Sequence, residues 1–207
     1  MMNKIVITAD VIDSQKQTAF SKMIRERLKD MDIPGLEFPF ALSRGDEIQG
    51  ILPEAGDVLA TVRRLRYSLK PLEIRVGIGF GPIEEISGEA RTSWDLTGEA
   101  FFGSREALDK LKDEEIPKTV FHSGEMFKDL SVNSILALLD IMMNDWTDLQ
   151  FKYVIFYEKL GTYEKVGKTL NVSAPNVQKA CKRANWETVS RIEENVDKII
   201  WNAETGD

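Results

Sequence analysis

The sequence predicts an α+β protein, in which a sheet of ferredoxin-like or palm type is followed by an all-α part. Strand-like and helical segments alternate as far as residue 122, in the order β-α-β-β-α-β-α-β. After about Gly124 the strand signals stop, and only helical spacing remains. A hairpin joined to crossover helices predicts an α+β sheet with its helices on one face. We therefore divide the chain into residues 1–126 and 127–207.

The first part of the chain alternates between two kinds of apolar pattern. A short polar stretch, Arg44 to Glu47, separates two of its strand-like runs and predicts a hairpin. The predicted strands are the β-branched, apolar runs 4–11, 36–43, 48–52, 72–80 and 118–122. The predicted helices have apolar residues at helical spacing and cover 15–31, 54–69 and 96–111.

Two charged or apolar features affect how the helices are expected to pack. Arg63, Arg64 and Arg66 lie close together in the second predicted helix, which is typical of a solvated face or, alternatively, of a surface that meets phosphates. Residues 130–146 are apolar almost all round. Such a helix is expected to be buried, either against the first part of the chain or in a homodimer.

The segment 161–184 has the residue pattern of a helix-turn-helix. Thr162 can cap a first helix over 163–170, and Asn171 tolerates the positive φ that the turn needs. Ser173 can cap the second helix, whose exposed side chains suit base edges and phosphates. A helical hairpin used only for packing or protein contacts is the alternative. The predicted DNA-binding residues are Ser173, Asn176, Gln178, Lys179, Lys182 and Arg183.

The charge distribution supports DNA as the partner of this segment. The whole chain has a net charge of −7, whereas residues 152–191 hold eight basic residues against three acids. A local basic surface is what phosphate binding needs.

The start of the chain has no signal-peptide pattern, no apolar run is long enough for a bilayer, and a single cysteine excludes an intrachain disulfide. We expect a cytoplasmic protein without membrane contact.

Acidic residues lie where the first strand and the predicted hairpin end. Asp10 ends the first strand, and Asp46 and Glu47 lie at the hairpin turn. In a palm topology these strands are neighbours, so that Asp10 and Asp46 meet at one edge. Two carboxylates and the backbone carbonyl of Val11 form an oxygen site suited to Mg²⁺. The alternative is that the aspartates only form turns.

Four segments resemble known nucleotide-handling domains. ADVIDS (9–14) resembles the first metal-binding strand of class III nucleotidyl cyclases, and RGDEI (44–48) resembles the GGDEF hairpin of diguanylate cyclases. RVGIGFG (75–81) and TGEAFFGSREAL (97–108) resemble their fourth strand and the helix after it. Residues 149–184 resemble the region-4 helix-turn-helix of sigma factors. The combination resembles the SatD family over nearly the whole chain.

The resemblance implies roles for single residues. Asp10, Val11 and Asp46 would hold Mg²⁺, and Glu47 would handle the proton of the attacking hydroxyl. Residues implied to contact a nucleotide are Asp13, Ser14 and Arg105. The sequence departs from cyclases at Arg44, which replaces a glycine, at Asp13, where a glycine is usual, and at Phe102 and Glu106, which align with an asparagine and an arginine.

Three functions are compatible with these patterns. The first is a DNA-binding regulator whose palm domain senses a nucleotide or a metal, or only dimerises. The second is an active Mg²⁺-dependent nucleotidyl transferase or cyclase that acts on nucleoside triphosphates. The third is a scaffold in which both parts make protein contacts. A homodimer fits the first function, because paired recognition helices meet half-sites about 34 Å apart.

Overall fold

The computed structural model describes residues 3–12, 20–31, 33, 36–42, 47–53, 55–85, 92–112 and 115–202. Within these ranges the protein is α+β. Its strands are β1 (Asn3–Val11), β2 (Phe38–Leu42), β3 (Ile48–Leu52), β4 (Ile74–Glu85), β5 (Leu96–Gly98) and β6 (Thr119–His122). Its α-helices are α1 (Phe20–Lys29), α2 (Val58–Leu69), α3 (Glu99–Asp109), α4 (Met126–Asn144), α5 (Asp148–Leu160), α6 (Tyr163–Leu170), α7 (Ala174–Arg183) and α8 (Trp186–Trp201).

The strands form a sheet with the order β2-β3-β1-β4-β5, and β6 pairs in parallel with β4. The central strand β1 is antiparallel to both β3 and β4, which places Asp10 directly opposite Arg75. The predicted order of elements is present, with β5 as an addition. The sequence assigned residues 96–98 to a helix, but Gly98 has a φ of 132°, so the helix begins only after it.

Helices cover both faces of the sheet, so the prediction of helices on one face is wrong. The helix α3 packs on the face formed by alternate residues of β4. A Cβ atom at Gly77 or Gly79 would collide with the backbone oxygens of Ser104 and Ala100. Glycine in a strand allows this close backbone approach, and two glycines alternate with Ile78 at this point of the sequence. The opposite face, with Ile5 and Ile7, shares one apolar core with α1 and α2.

The helical part packs directly on the sheet part, and one apolar core runs through both. The last helix, α8, returns to α2 and α4. The indole N–H of Trp201 donates to the carbonyl of Gly56 at 2.9 Å, and its ring meets Phe80 edge-on at 5.8 Å. Val196 and Ile200 of α8 are fully buried. The division at residue 126 stays a prediction, because the core crosses it without a break.

In the single chain, the long helix α4 is buried on one face only. Burial of its other face in a homodimer stays a prediction. Val132 and Leu139 face the core. The opposite face exposes large apolar side chains, which are Phe127 (77% exposed), Leu130 (64%), Leu138 (63%) and Ile141 (49%). No helix in the described part of the chain combines the length and apolarity that crossing a bilayer requires.

Candidate functional site

The helices α6 and α7 are joined by a tight turn with the geometry that the sequence predicts. The hydroxyl of Thr162 accepts a hydrogen bond from the N–H of Lys165 at 3.2 Å and caps α6. Asn171 ends α6 with φ 54° and ψ 47°, the left-handed conformation that asparagine tolerates. The N–H of Val172 then donates to the carbonyl of Gly167 at 2.9 Å. These bonds fix the angle between the two helices.

Small and apolar residues hold α6 against α7. A Cβ atom at Gly167 would lie 2.6 Å from the carbonyl oxygen of Val172, so only glycine allows this approach. Val177 and Cys181 of α7 are buried. Burial raises the pKa of the Cys181 thiol to about 11, which keeps it protonated and unreactive. Ser173 occupies the N-cap position of α7, but its side chain makes no capping hydrogen bond.

The side of α7 that faces away from this seam is exposed and basic. Lys179, Lys182 and Arg183 form no salt bridge with any acid in the described part of the chain. At helical spacing, Lys179 and Lys182 lie opposite Val177 and Cys181. All six predicted DNA-binding residues are solvent-exposed. They are Ser173, Asn176, Gln178, Lys179, Lys182 and Arg183.

Near the end of the central strand β1, Asp10 is held by an arginine for which the sequence predicts no role. Arg75 of β4 donates from Nε to one carboxylate oxygen of Asp10 at 3.0 Å and from Nη2 to the other at 2.9 Å. Arg75 also donates to the carbonyl of Lys112 at 2.7 Å. Both oxygens of Asp10 are therefore engaged, and the guanidinium beside them repels a divalent cation. This arrangement does not fit a Mg²⁺ site as it stands.

Glu47 and Arg105, two further predicted site residues, contact each other. The Nε of Arg105 donates to the carboxylate of Glu47 at 3.3 Å, and the guanidinium lies 6.0 Å from the ring centre of Trp94. Val11 is paired with Ile74 in the sheet. Asp13, Ser14 and Asp46 lie outside the described residues, so their proximity to Asp10 stays a prediction. Within the described ranges, no three His, Cys, Asp or Glu side chains are grouped to hold a metal.

The basic cluster on α2 is an interface between the two parts of the chain rather than a solvated face. Arg63 is 1% exposed and donates to Glu193 of α8 at 2.9 Å and to Glu158 of α5 at 3.1 Å. Its guanidinium also stacks on Trp186 at 4.4 Å. Burial opposes ionisation of Glu158, but its bonds to Arg63 and Arg64 outweigh that and lower its pKa. The expectation of a solvated face is wrong for Arg63.

A second contact between the two parts lies at the start of α2. A carboxyl oxygen of Asp197 on α8 accepts a hydrogen bond from the N–H of Leu59 at 3.2 Å. Asp57 stands at the N-cap position of α2, but its own side chain makes no capping hydrogen bond. Asp197 thus supplies the cap from 138 positions further along the chain. Burial raises the pKa of Asp197 to about 8, and the nearby carboxylates of Glu193 and Asp57 add to this effect.

Comparison with known proteins gives a family for the chain. No curated protein matches it in sequence. One similar solved structure is a regulator of polyketide synthase expression from Bifidobacterium adolescentis, at 14% identity, with 100% of this chain and 88% of that chain covered. The TM-score is 0.30, and a value this low carries no information about fold or function. The model of the SatD family matches residues 3–196. Because this match spans nearly the whole chain, the protein belongs to the SatD family.

Proposed function

We propose that the protein is a DNA-binding regulator, in which α6 and α7 form a helix-turn-helix and α7 is the recognition helix. The observation that carries the proposal is the exposed face of α7. This face presents Lys179, Lys182 and Arg183 without a salt-bridge partner among the described acids, next to Asn176 and Gln178. Lysine and arginine suit phosphates and guanine edges, whereas asparagine and glutamine suit adenine edges. The remaining chain is acidic, so DNA affinity is expected to be confined to this face.

Titration of a fluorescent DNA duplex at several salt concentrations tests this proposal. Wild-type protein is expected to bind with an affinity that falls steeply as salt rises, because phosphate contacts release counterions. The Lys179→Ala/Lys182→Ala variant removes two phosphate contacts. Its plot of log affinity against log salt should therefore be less steep than that of wild type, by about 2 in slope. Lys198→Ala on α8 is the matched control for an exposed lysine and should leave the slope unchanged. Absence of binding at low salt, or an equal loss with Lys198→Ala, would refute DNA contact through α7.

We further propose that the sheet part is a divergent palm domain with a sensing role. The strand order β2-β3-β1-β4, with β1 antiparallel to both neighbours, is that of the ferredoxin-like core, and β6 extends it. A sensing role is supported over catalysis by two ion pairs. Asp10 is bound by Arg75, and Glu47 is bound by Arg105. Two acids of the predicted cyclase site are therefore each paired with an arginine instead of being free to bind a metal or a hydroxyl. Mg²⁺ binding therefore requires that Arg75 leave Asp10.

The alternative is an active nucleotidyl transferase or cyclase, which product analysis can separate from a sensor. The protein is incubated with each nucleoside triphosphate and Mg²⁺ or Mn²⁺, and cyclic and oligonucleotide products are measured. A sensor is expected to give no more product than Asp10→Ala. Turnover by wild type that is lost in Asp10→Ala would establish the enzyme instead. Calorimetric titration of the same nucleotides then measures binding without turnover.

We also propose that the protein forms a homodimer through the exposed apolar face of α4. Phe127, Leu130, Leu138 and Ile141 lie along one side of a 19-residue helix, and an isologous pair of such helices buries both stripes. Leu130→Glu/Leu138→Glu should convert a dimer to a monomer in sedimentation equilibrium. Ile199→Glu, a partly exposed apolar residue on α8, is the control and should leave the dimer intact. A monomeric wild type at tens of micromolar would contradict the proposal.

A further inference from the structure

The exposed face of α7 divides into an uncharged first half and a charged second half. Residues 173–178 contain no charged side chain, whereas the cations of the helix, Lys179, Lys182 and Arg183, all lie within residues 179–183. Positive charge attracts phosphates, but phosphate contacts carry no direct sequence information. Sequence is read by hydrogen bonds and apolar contacts to the edges of the bases. The two halves therefore suit different parts of a DNA duplex.

Two amide side chains in the first half are not engaged by the protein. Asn176 and Gln178 are exposed, and their side chains make no hydrogen bond to another residue that the structure describes. A free amide presents a donor and an acceptor side by side. In the major groove this pair matches N7 and the N6 amino group of adenine, whereas guanine offers two acceptors there. The two amides therefore favour adenine over guanine.

An apolar ring lies between these two amides. Asn176 and Gln178 flank the buried Val177 in the sequence, so each lies about 100° from it around the helix, on opposite sides. Pro175 is exposed and lies about 160° from Val177, on the arc between the amides. Apolar surface of this kind suits the C5-methyl group of thymine, the partner of adenine. All three side chains thus point to the same base pair type.

We propose that the first half of α7 reads A·T base pairs in the major groove, with Asn176 and Gln178 bonded to adenine edges and Pro175 against thymine methyl groups. The second half then binds the neighbouring phosphates. This inference rests on the proposed DNA contact and goes beyond it, because it assigns affinity and base preference to different residues. Removal of a cation weakens binding to every duplex alike, whereas removal of the amides removes the preference for A·T pairs.

Selection from a pool of randomised duplexes tests the preference, because it requires no known operator. The full-length protein at low salt is expected to enrich duplexes that contain adjacent A·T pairs. In the selected duplex, 7-deazaadenine in place of a contacted adenine removes N7 and keeps the base pairing. It should weaken binding by wild type roughly fivefold, the loss of one hydrogen bond. Deoxyuridine in place of a contacted thymidine removes only the methyl group and should weaken binding roughly fourfold.

Matched variants assign the preference to residues. Asn176→Ala/Gln178→Ala changes two exposed helical positions to a good helix former, so the fold is retained. This variant should bind the selected duplex and one with G·C pairs in place of the A·T pairs within about twofold of each other, and keep the salt slope of wild type. Lys182→Ala should weaken both duplexes by the same factor. Asn195→Ala, an exposed asparagine on α8, is the control and should behave as wild type.

The outcomes separate base reading from DNA contact as such. Salt-dependent binding without enrichment of A·T pairs would overturn the base reading and leave the proposed DNA contact standing. An A·T preference that survives in Asn176→Ala/Gln178→Ala would overturn it as well. So would a preference for G·C pairs that disappears in Lys182→Ala, because a lysine would then read guanine. Absence of binding to any duplex at low salt would remove both the base reading and the DNA contact.

Discussion

Substitution of Asp197 by asparagine tests the contact between α8 and the start of α2. Asparagine keeps a carbonyl oxygen that can accept from the N–H of Leu59, but it cannot ionise. Burial raises the pKa of Asp197 from 3.8 to about 8, with the carboxylates of Glu193 and Asp57 acting in the same direction. The N–H groups of Leu59 and Val58 act against it. The folded protein therefore holds a protonated Asp197 at neutral pH.

The sign of the pH effect follows from the two protonation states. Below pH 3.8 the carboxyl is protonated in the folded and unfolded chains, so it makes no difference to stability. Between pH 3.8 and about 8 only the unfolded chain releases the proton, so stability falls as pH rises. At about 1.4 kcal/mol per pH unit, the loss between pH 5 and pH 8 has an upper bound of about 4 kcal/mol. Asp197→Asn removes this loss.

Urea unfolding followed by tryptophan fluorescence between pH 5 and pH 9 measures the effect. The stability advantage of Asp197→Asn over wild type is expected to grow from pH 5 to pH 8 and then to level off. Glu194→Gln, an exposed carboxylate on the same helix, is the control and should change stability by less than about 0.5 kcal/mol at every pH. A helix N-terminus also attracts an anion. If Asp197→Asn is less stable by the same amount at all pH values, Asp197 is an ionised cap and the reasoning is refuted.

Two further substitutions test the interior contacts. Arg63→Met should cost about 3–5 kcal/mol in urea unfolding, since it leaves Glu193 buried without its partner, and adding Glu193→Gln should recover part of the loss. Gly167→Ala should destabilise the protein by about 1–3 kcal/mol and weaken DNA binding, because the new methyl group meets the carbonyl of Val172. Equal stability of Gly167→Ala and wild type would show that α6 and α7 separate without cost.

The elements that depend on local chemistry were predictable from the sequence. The first helix of the 161–184 segment begins and ends where expected, at Tyr163 and Leu170. Its two ends are fixed by residues within a few positions, through the hydroxyl of Thr162 and the left-handed backbone of Asn171. The strands of the sheet other than β5 were found in the same way, because their apolar and β-branched runs are continuous. Patterns of this kind do not depend on distant parts of the chain.

The contacts between distant residues could not be predicted in the same way. Arg63 looks like one of three surface arginines, and its burial depends on Glu193, which lies 130 positions later. Arg75 was visible in a strand, but its role depends on the register that sets it opposite Asp10. The burial of α4 also depends on which helix covers it, and α8 covers one side only. In all three cases, burial or role depends on which distant residue or helix lies opposite, and the residue type alone does not determine it.

The position of α2 links the sheet to the proposed recognition helix. Its apolar side packs with the sheet, whereas Arg63 and Arg64 reach α5 and α8. The helices α5 and α8 in turn both contact α7. A shift of α2 alone would leave Glu193 and Glu158 partly buried without their guanidinium partner, which is costly. Under the proposed sensing function, this ion cluster is therefore the contact that links α2 to α5 and α8, which in turn contact α7.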